Sequence, residues 1–100
     1  MKCMDDCHNY VMETFVEDDF MKLQFYFKGE SGLEIDGVTN EEVIKVLIHR
    51  IKHLNEKLHG GKFKCRENSI AITKLEEALM WLEKRTANRI ERGVEGELIP

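Results

Sequence analysis

One stretch decides the fold, CRENSIAITKLEEALMWLEKRTANRIERG, which runs from Cys65 to Gly93. Its apolar residues recur at steps of three and four, the period of an amphipathic α-helix, at Ile72, Leu75, Leu79 and Leu82. No proline interrupts the stretch, and Gly93 suits the left-handed conformation that closes many helices. The pattern therefore predicts one long helix over about 66–92, with several arginines in its last turns.

A second amphipathic helix precedes this stretch and begins with a capping signal. Thr39 as N-cap and Glu42 three residues later form a capping box. An apolar stripe follows at Ile44, Leu47, Ile51, Leu54 and Leu58. Gly60 and Gly61 then end the helix. We expect a helix over about 40–58 and, because the connection to the next helix is short, an antiparallel helical hairpin.

The region before the helices has the pattern of β-structure. Leu23, Phe25 and Phe27 alternate with polar residues, as in a half-buried strand. A turn rich in glycine and a second short alternating segment complete a β-hairpin over about 22–38. Residues 1–20 leave two alternatives open, because the segment 10–16 suits a strand while four residues have helical spacing: Met4, Cys7, Val11 and Phe15.

The predicted fold is therefore α+β, a small antiparallel sheet and a long helical hairpin, in an oligomeric protein. We expect a single domain over 1–100, made of an uncertain segment, 1–20, a β-hairpin, 21–38, and the helical hairpin, 39–96. A chain of 100 residues buries only a modest core, and small domains often gain stability by association.

Charge is unevenly distributed along the chain. Residues 1–50 carry 5 basic and 11 acidic side chains, a net of −6, whereas residues 51–100 carry 10 basic and 8 acidic side chains, a net of +2. This distribution argues against DNA binding, which requires a broad basic face, and permits a local anion site in the second half. With no apolar run long enough for a membrane span and no secretion signal, we expect a cytoplasmic protein.

Motifs for metals or catalysis are weak. His49 and His53 share a helix face but have no evident third ligand, and three cysteines give no disulfide framework. The carboxylates have the pattern of solvated helix faces, without a glycine-rich phosphate loop or a nucleophile–histidine arrangement. We expect no metal, no cofactor and no catalytic residues.

The second helix places polar residues on its apolar face. At about 100° per residue, Asn68, Thr86 and Arg89 share the face of the leucine stripe, and Arg85 borders it. Guanidinium groups one turn apart suit phosphate oxygens, and an asparagine amide suits a ribose or base edge. The pattern points to a site for an anionic small molecule.

Structural alternatives stay open for each of these residues. Arginines in the last turns also favour the helix dipole, and their aliphatic stems can pass the core to reach solvent. Asn68, in the first turn, could serve only as a local cap. Arg92 lies with Trp81 on a flank, where the tryptophan suggests either a subunit contact or a base-stacking platform.

The chain also resembles the helical-hairpin family shared by the phage sponges that counter the Thoeris and CBASS defence systems. The residues that carry the resemblance are Cys65–Asn68, Ala71–Leu79, Trp81–Leu82, Arg85–Thr86, Arg89 and Arg92–Gly96. Upstream, Gly37–Glu41 and the helix to Arg50 resemble the Thoeris-type branch. The resemblance covers about residues 24–96 and is most specific over the carboxyl-terminal helix.

This resemblance implies a binding protein without enzymatic activity. Members of that family bind nucleotide second messengers of bacterial immunity and hold them away from their effectors. The ligands are glycocyclic ADP-ribose for Thoeris, and cyclic di- and trinucleotides for CBASS. Members assemble as dimers or hexamers with ligand sites between protomers, so we expect a homo-oligomeric sponge in the host-cell cytoplasm.

The resemblance also implies site residues. The family's asparagine in the Cys-Arg-Glu-Asn motif matches Asn68, and its paired arginines match Arg85 and Arg89. Arg92 and Leu58 complete the predicted ligand-binding set.

Leu58 is a departure from the family pattern, because a ligand-stacking aromatic stands at that place, ten residues before the asparagine. Phe63 or Phe27 could replace that aromatic, or the ligand preference differs. A second departure is Glu97, which stands where the family has a threonine after Gly-Val-Glu-Gly.

Two rival functions remain at this stage. The chain could be an oligomeric helical-hairpin protein that binds or inhibits a host protein, with its arginines paired to carboxylates such as Glu76 or Glu83 of neighbouring subunits. It could also be a cyclic-nucleotide hydrolase, which would degrade the messenger instead of storing it.

Overall fold

The computed structural model describes residues 1–93, and the chain divides into two compact units. The amino-terminal unit, Met1–Asn40, contains five strands: β1 Lys2–Asp5, β2 Asn9–Glu13, β3 Phe20–Gln24, β4 Phe27–Lys28 and β5 Glu34–Ile35. The helical unit begins at Glu41 and contains α1, which starts one residue earlier (Asn40–Glu56), a short 3-10 turn (Leu58–Gly61) and α2 (Arg66–Glu91). The predicted α+β class, with a small antiparallel sheet and a helical hairpin, is confirmed.

The amino-terminal unit holds two small antiparallel sheets. The first has the strand order β1-β2-β3, and the second pairs β4 with β5. Leu23, Phe25 and Phe27 are half-buried while the residues between them are exposed, so the predicted alternation is confirmed. For residues 1–20 the strand alternative is correct and the helical one is wrong, because β1 and β2 pair with each other and β2 with β3.

The predicted hairpin over 22–38 is only partly correct, because one continuous strand was expected where the chain changes sheets. Leu23 pairs with Tyr10 of β2, whereas Phe27 pairs with Ile35 of β5. Between these strands, the Tyr26 N–H donates to the Val38 carbonyl at 2.9 Å. Gly37 permits this approach, since a Cβ there would lie 2.5 Å from the carbonyl carbon of Phe25.

Both helices begin where the sequence predicts. Helix α1 starts at Asn40, directly after Thr39, and α2 starts at Arg66 and ends at Glu91. Helix α1 ends at Glu56, two residues early, because the following turn contains left-handed residues, among them His59 with φ 50°. Gly93 has φ 71° and its N–H donates to the Ile90 carbonyl, as expected for a glycine that closes a helix.

The apolar stripe of α1 differs from the prediction at one turn. Leu47 is 43% exposed, and Ile48 takes its place on the half-buried face. Both residues fit a spacing of three or four from Ile44, so periodicity alone did not separate them.

Asn55 closes the helical hairpin and is only 3% exposed. Its Oδ1 accepts the N–H of Cys65 at 3.0 Å, and its Nδ2 donates to Ser69 Oγ at 3.4 Å. In a capping box, a side chain of the helix's own first turn accepts the N–H of the N-cap residue. Here a residue of α1 does so for α2, and this fixes the end of one helix to the start of the next.

The helical unit has a thin core. Within residues 1–93, Ile72 is the one buried hydrophobic side chain, at 7% exposure. Across the hairpin Lys52 lies 3.5 Å from Glu76 and Lys45 lies 4.0 Å from Glu83, but exposed ion pairs contribute little to stability. Large apolar side chains remain exposed at Val46, Leu47, Phe63, Ile70, Met80, Trp81 and Ile90.

Neither helix in the described part of the chain has both the length and the apolar character needed to cross a bilayer.

Candidate ligand-binding site

The candidate residues lie along α2 as the helical wheel predicts. Asn68, Thr86 and Arg89 are half-buried, whereas Arg85 is exposed. The first three therefore belong to the face that packs in the hairpin, and Arg85 stands at its border. These side chains fall into two groups, one at each end of the helix.

The amino-terminal group is held by hydrogen bonds. The Asn68 Nδ2 donates to the backbone carbonyl of Phe63 at 3.2 Å, so this asparagine fixes the loop residue that precedes α2 by three positions. Phe63 is 53% exposed as a residue, and its ring meets the His59 ring edge-on, with 5.4 Å between centroids. An amide and an accessible aromatic face therefore lie close together at this end.

Leu58 lies half-buried at the first position of the 3-10 turn. Its apolar side chain continues the stripe of α1, as predicted, and offers no aromatic face. Of the two aromatic replacements considered, Phe27 is half-buried and stacks on His8 with 3.8 Å between ring centroids. Phe63 is the more accessible ring.

The carboxyl-terminal group carries the positive charge. Arg85 makes no hydrogen bond or ion pair within residues 1–93, and Arg89 follows one turn later at the half-buried face. Arg92 is exposed, and its Nε donates to Asn88 Oδ1 at 2.8 Å. The cations also lie near the negative end of the helix dipole, where they stabilise α2.

Trp81 adds an aromatic surface one turn before Arg85. The ring is 61% exposed, and Lys84 Nζ lies 4.9 Å from its centroid. This cation–π contact leaves the tryptophan accessible, so the sequence alternatives of a subunit contact and a stacking platform both stay predictions.

The two groups are far apart in one chain. Asn68 and Arg85 are 17 positions apart, which corresponds to about 26 Å along a helix that rises about 1.5 Å per residue. A mononucleotide-sized ligand cannot contact both within one protomer. A single site that uses both groups therefore requires two copies of α2.

The structure also contains a contact that the sequence analysis did not predict, the cap that Asn55 forms on Cys65. Residues 1–93 contain no group of three or more His, Cys, Asp or Glu side chains arranged for a metal ion. Asn55 was missed, although a polar residue beside Leu54 on an apolar face, just before a glycine turn, is a recognisable signal. The tail Val94–Gly96 and Glu97, also noted in the sequence, lie outside the described residues.

Comparison with known proteins assigns this chain to a family. Residues 21–87 match the family described as "Acb2/Tad1, hairpin domain". Over 61 residues, the chain is 56% identical to a protein named Thoeris anti-defense 1 from Bacillus phage SBSphiJ7. The aligned part is 61% of this chain and 40% of the phage protein, so the chain spans about two fifths of the length of that relative. The family match covers all but the first residue of β3, then β4, β5, α1 and most of α2, and the chain belongs to the Acb2/Tad1 hairpin-domain family.

Proposed function

We propose that the protein is a phage anti-defence sponge that acts in the host cytoplasm. It binds an immune nucleotide messenger, foremost glycocyclic ADP-ribose, with cyclic di- and trinucleotides as further ligands, and sequesters it without cleavage. Family membership and the name of the phage relative support the anti-defence role. The arginines at the candidate site support an anionic ligand, and the resemblance to the sponge family implies that this anion is a nucleotide messenger.

The observation that carries this proposal is the state of Arg85. An exposed guanidinium without a partner in residues 1–93, one turn from the half-buried Arg89, offers donors at a spacing that suits phosphate oxygens. Guanidinium forks bind phosphates through short, charge-assisted hydrogen bonds. This end of α2 therefore supplies the anion-binding half of the site.

The amino-terminal end of α2 supplies the half that recognises the nucleoside. The Asn68 amide, which donates one N–H to the Phe63 carbonyl, offers its Oδ1 and second N–H to a ribose or base edge, and Phe63 replaces the stacking aromatic that Leu58 cannot provide. Aromatic stacking is tolerant of base identity and contributes about 1–3 kcal/mol per base. Together with Arg92 near the opposite end, these residues complete the proposed ligand-binding set.

The site is completed by a second copy of the chain. If two α2 helices run antiparallel across the interface, the Asn68 end of one protomer meets the Arg85 end of its partner. The exposed apolar side chains of the helical unit provide a surface for this contact, and large exposed apolar patches commonly mark interfaces. A dimer, or a hexamer built from such dimers, encloses the ligand from both sides.

Storage rather than turnover follows from the side-chain chemistry. Guanidinium and carboxamide groups bind ligands through hydrogen bonds and are not among the groups that usually serve as general acids or bases. The proposed site therefore binds the messenger and leaves its bonds intact.

Calorimetry with glycocyclic ADP-ribose and cyclic dinucleotides tests this function. We expect at least one ligand to bind with a Kd below about 1 µM, equivalent to about −8 kcal/mol. After heat denaturation of the complex, chromatography should return the ligand unchanged. Absence of binding refutes the sponge, whereas recovery of a cleaved nucleotide identifies a hydrolase.

Binding to a host protein is the rival. In that case, the arginines would pair with carboxylates of neighbouring subunits, such as Glu76 or Glu83. Within one chain, these carboxylates already face lysines of α1, at 3.5 and 4.0 Å. A ligand-free oligomer with arginine–glutamate pairs, together with failed calorimetry, would favour the rival.

A further inference from the structure

Two cysteines of the amino-terminal unit face each other, Cys3 in β1 and Cys7 in the turn between β1 and β2. The Sγ atoms of Cys3 and Cys7 lie 3.3 Å apart, and both residues are exposed. The third cysteine, Cys65, is exposed at the start of α2 and belongs to the other unit. The chain therefore contains one close thiol pair and one separate thiol that serves as an internal reference.

The turn that brings the thiols together is held from several sides. The Asp5 carboxylate accepts two hydrogen bonds from Asn9, one from the backbone N–H at 2.9 Å and one from the side-chain Nδ2 at 3.0 Å. The His8 N–H donates to the Asp5 carbonyl at 2.8 Å. Cys7 has φ 65°, a left-handed conformation that is unusual outside glycine and persists only where surrounding contacts enforce it.

We propose that Cys3 and Cys7 form a reversible intramolecular disulfide by exchange with a low-molecular-weight disulfide such as oxidised glutathione. A disulfide requires the two sulfurs at about 2.05 Å, so each side chain needs only a small rotation from its present position. The site is thus a redox-modifiable turn in the amino-terminal unit. Its chemistry uses none of the residues proposed to bind the messenger.

Cys7 is the thiol that reacts first. The hydroxyl of Tyr10 and the thiol of Cys3 hydrogen-bond to Cys7 and lower its pKa, although Asp5 and Asp6 act in the opposite direction. The same contact raises the pKa of Tyr10 to about 12, so this phenol stays protonated and donates. The pKa of Cys3 is raised by its hydrogen bond to Cys7, and this suits a resolving thiol.

The exchange balances in two steps. The Cys7 thiolate attacks one sulfur of oxidised glutathione, the bond between the two glutathione sulfurs breaks, and one glutathione thiolate leaves and takes a proton from water. Cys3 then loses its proton to solvent and attacks the Cys7 sulfur, which releases the second glutathione. The protein loses two electrons and two protons in total, and one oxidised glutathione becomes two reduced molecules.

Peptide mass mapping of the full chain after exposure to oxidised glutathione tests this site. We expect an internal Cys3–Cys7 disulfide to form about tenfold faster than glutathione adds to Cys65, because the lowered pKa of Cys7 speeds the first step and the intramolecular second step follows without delay. The C65S variant should form the internal disulfide at an unchanged rate. Glutathione adducts on Cys3 and Cys7 at the rate of Cys65, with no internal disulfide, would overturn the proposal.

Single variants separate the two steps. In C3S, glutathione should remain on Cys7 as a stable adduct. In C7S, glutathione should add to Cys3 no faster than it adds to Cys65. D5A removes the carboxylate that holds the turn while both thiols remain, and should slow closure of the internal disulfide. An unchanged closure rate in D5A, or equal reactivity of Cys3 and Cys7 in the single variants, would contradict the proposed geometry.

Discussion

The two ends of α2 are built in different ways. At the amino-terminal end, Asn55 and Asn68 hold the preceding loop through hydrogen bonds to Cys65 and Phe63. At the carboxyl-terminal end, Arg85 is exposed and makes no bond to the described part of the chain. Hydrogen bonds within the chain therefore fix the first end, whereas the second end exposes a positive charge to solvent. Because about 26 Å separate them, the site proposed above takes one half from each of two protomers.

Removal of Arg85 should have the largest effect. R85A is expected to weaken messenger binding about 100-fold, because a charge-assisted fork to phosphate contributes about 3 kcal/mol. The thermal unfolding temperature should change little, since the side chain is exposed. K74A removes an equal charge from an exposed position between the two ends and should bind normally. Unfolding of R85A, with intact binding in the folded fraction, would assign Arg85 a structural role.

A substitution of Asn55 tests whether hydrogen bonds fix the amino-terminal end of α2, and the quantity measured is the free energy of unfolding. N55A removes the acceptor of the Cys65 N–H and empties a position that is only 3% exposed, which should lower the free energy of unfolding by about 2 kcal/mol. The measurement is urea denaturation at one fixed protein concentration. N88A, which alters an asparagine exposed in α2, should change stability by less than about 0.5 kcal/mol. Equal effects of the two variants would show that Asn55 does not fix the hairpin.

Phe63 should have a smaller effect on affinity. F63A is expected to weaken binding about tenfold through loss of one stacking contact, and F63W should restore it. F15A removes a fully exposed ring from the amino-terminal unit and serves as the control. Calorimetry with glycocyclic ADP-ribose measures the difference. Unchanged affinity in F63A together with a loss in W81A would place the stacking surface at the other end of α2.

The sequence predicted those parts of the fold that depend on local pattern. The limits of α2 and the start of α1 were correct because leucine periodicity and capping residues are encoded within a few positions of each other. The face shared by Asn68 and Arg89 was correct for the same reason. The apolar spacing did not show whether Leu47 or Ile48 faces the second helix, because a shift of the apolar stripe by one residue depends on how the two helices pack.

Other features depended on contacts between distant residues. The strand from Leu23 to Phe27 looked continuous, but backbone pairing with β2 and with Val38 divides it between two sheets. The hydrogen bond from the Cys65 N–H to Asn55 Oδ1 joins residues on the two sides of a loop, and the apolar periodicity of the sequence does not predict it. For the candidate site, sequence identified residues on one helix, and only the length of that helix shows that Asn68 and Arg85 cannot meet within one chain.

The most direct test of the two-protomer site mixes two inactive variants. N68A and R85A are each expected to bind the messenger weakly when they assemble alone. If they are unfolded, mixed in equal amounts and refolded together, about a quarter of the sites should regain wild-type affinity, because those sites combine intact Asn68 from one protomer with intact Arg85 from its partner. Calorimetry should therefore show tight binding at about one quarter of the wild-type stoichiometry. A mixture that binds no better than the separate variants would contradict a site shared between protomers.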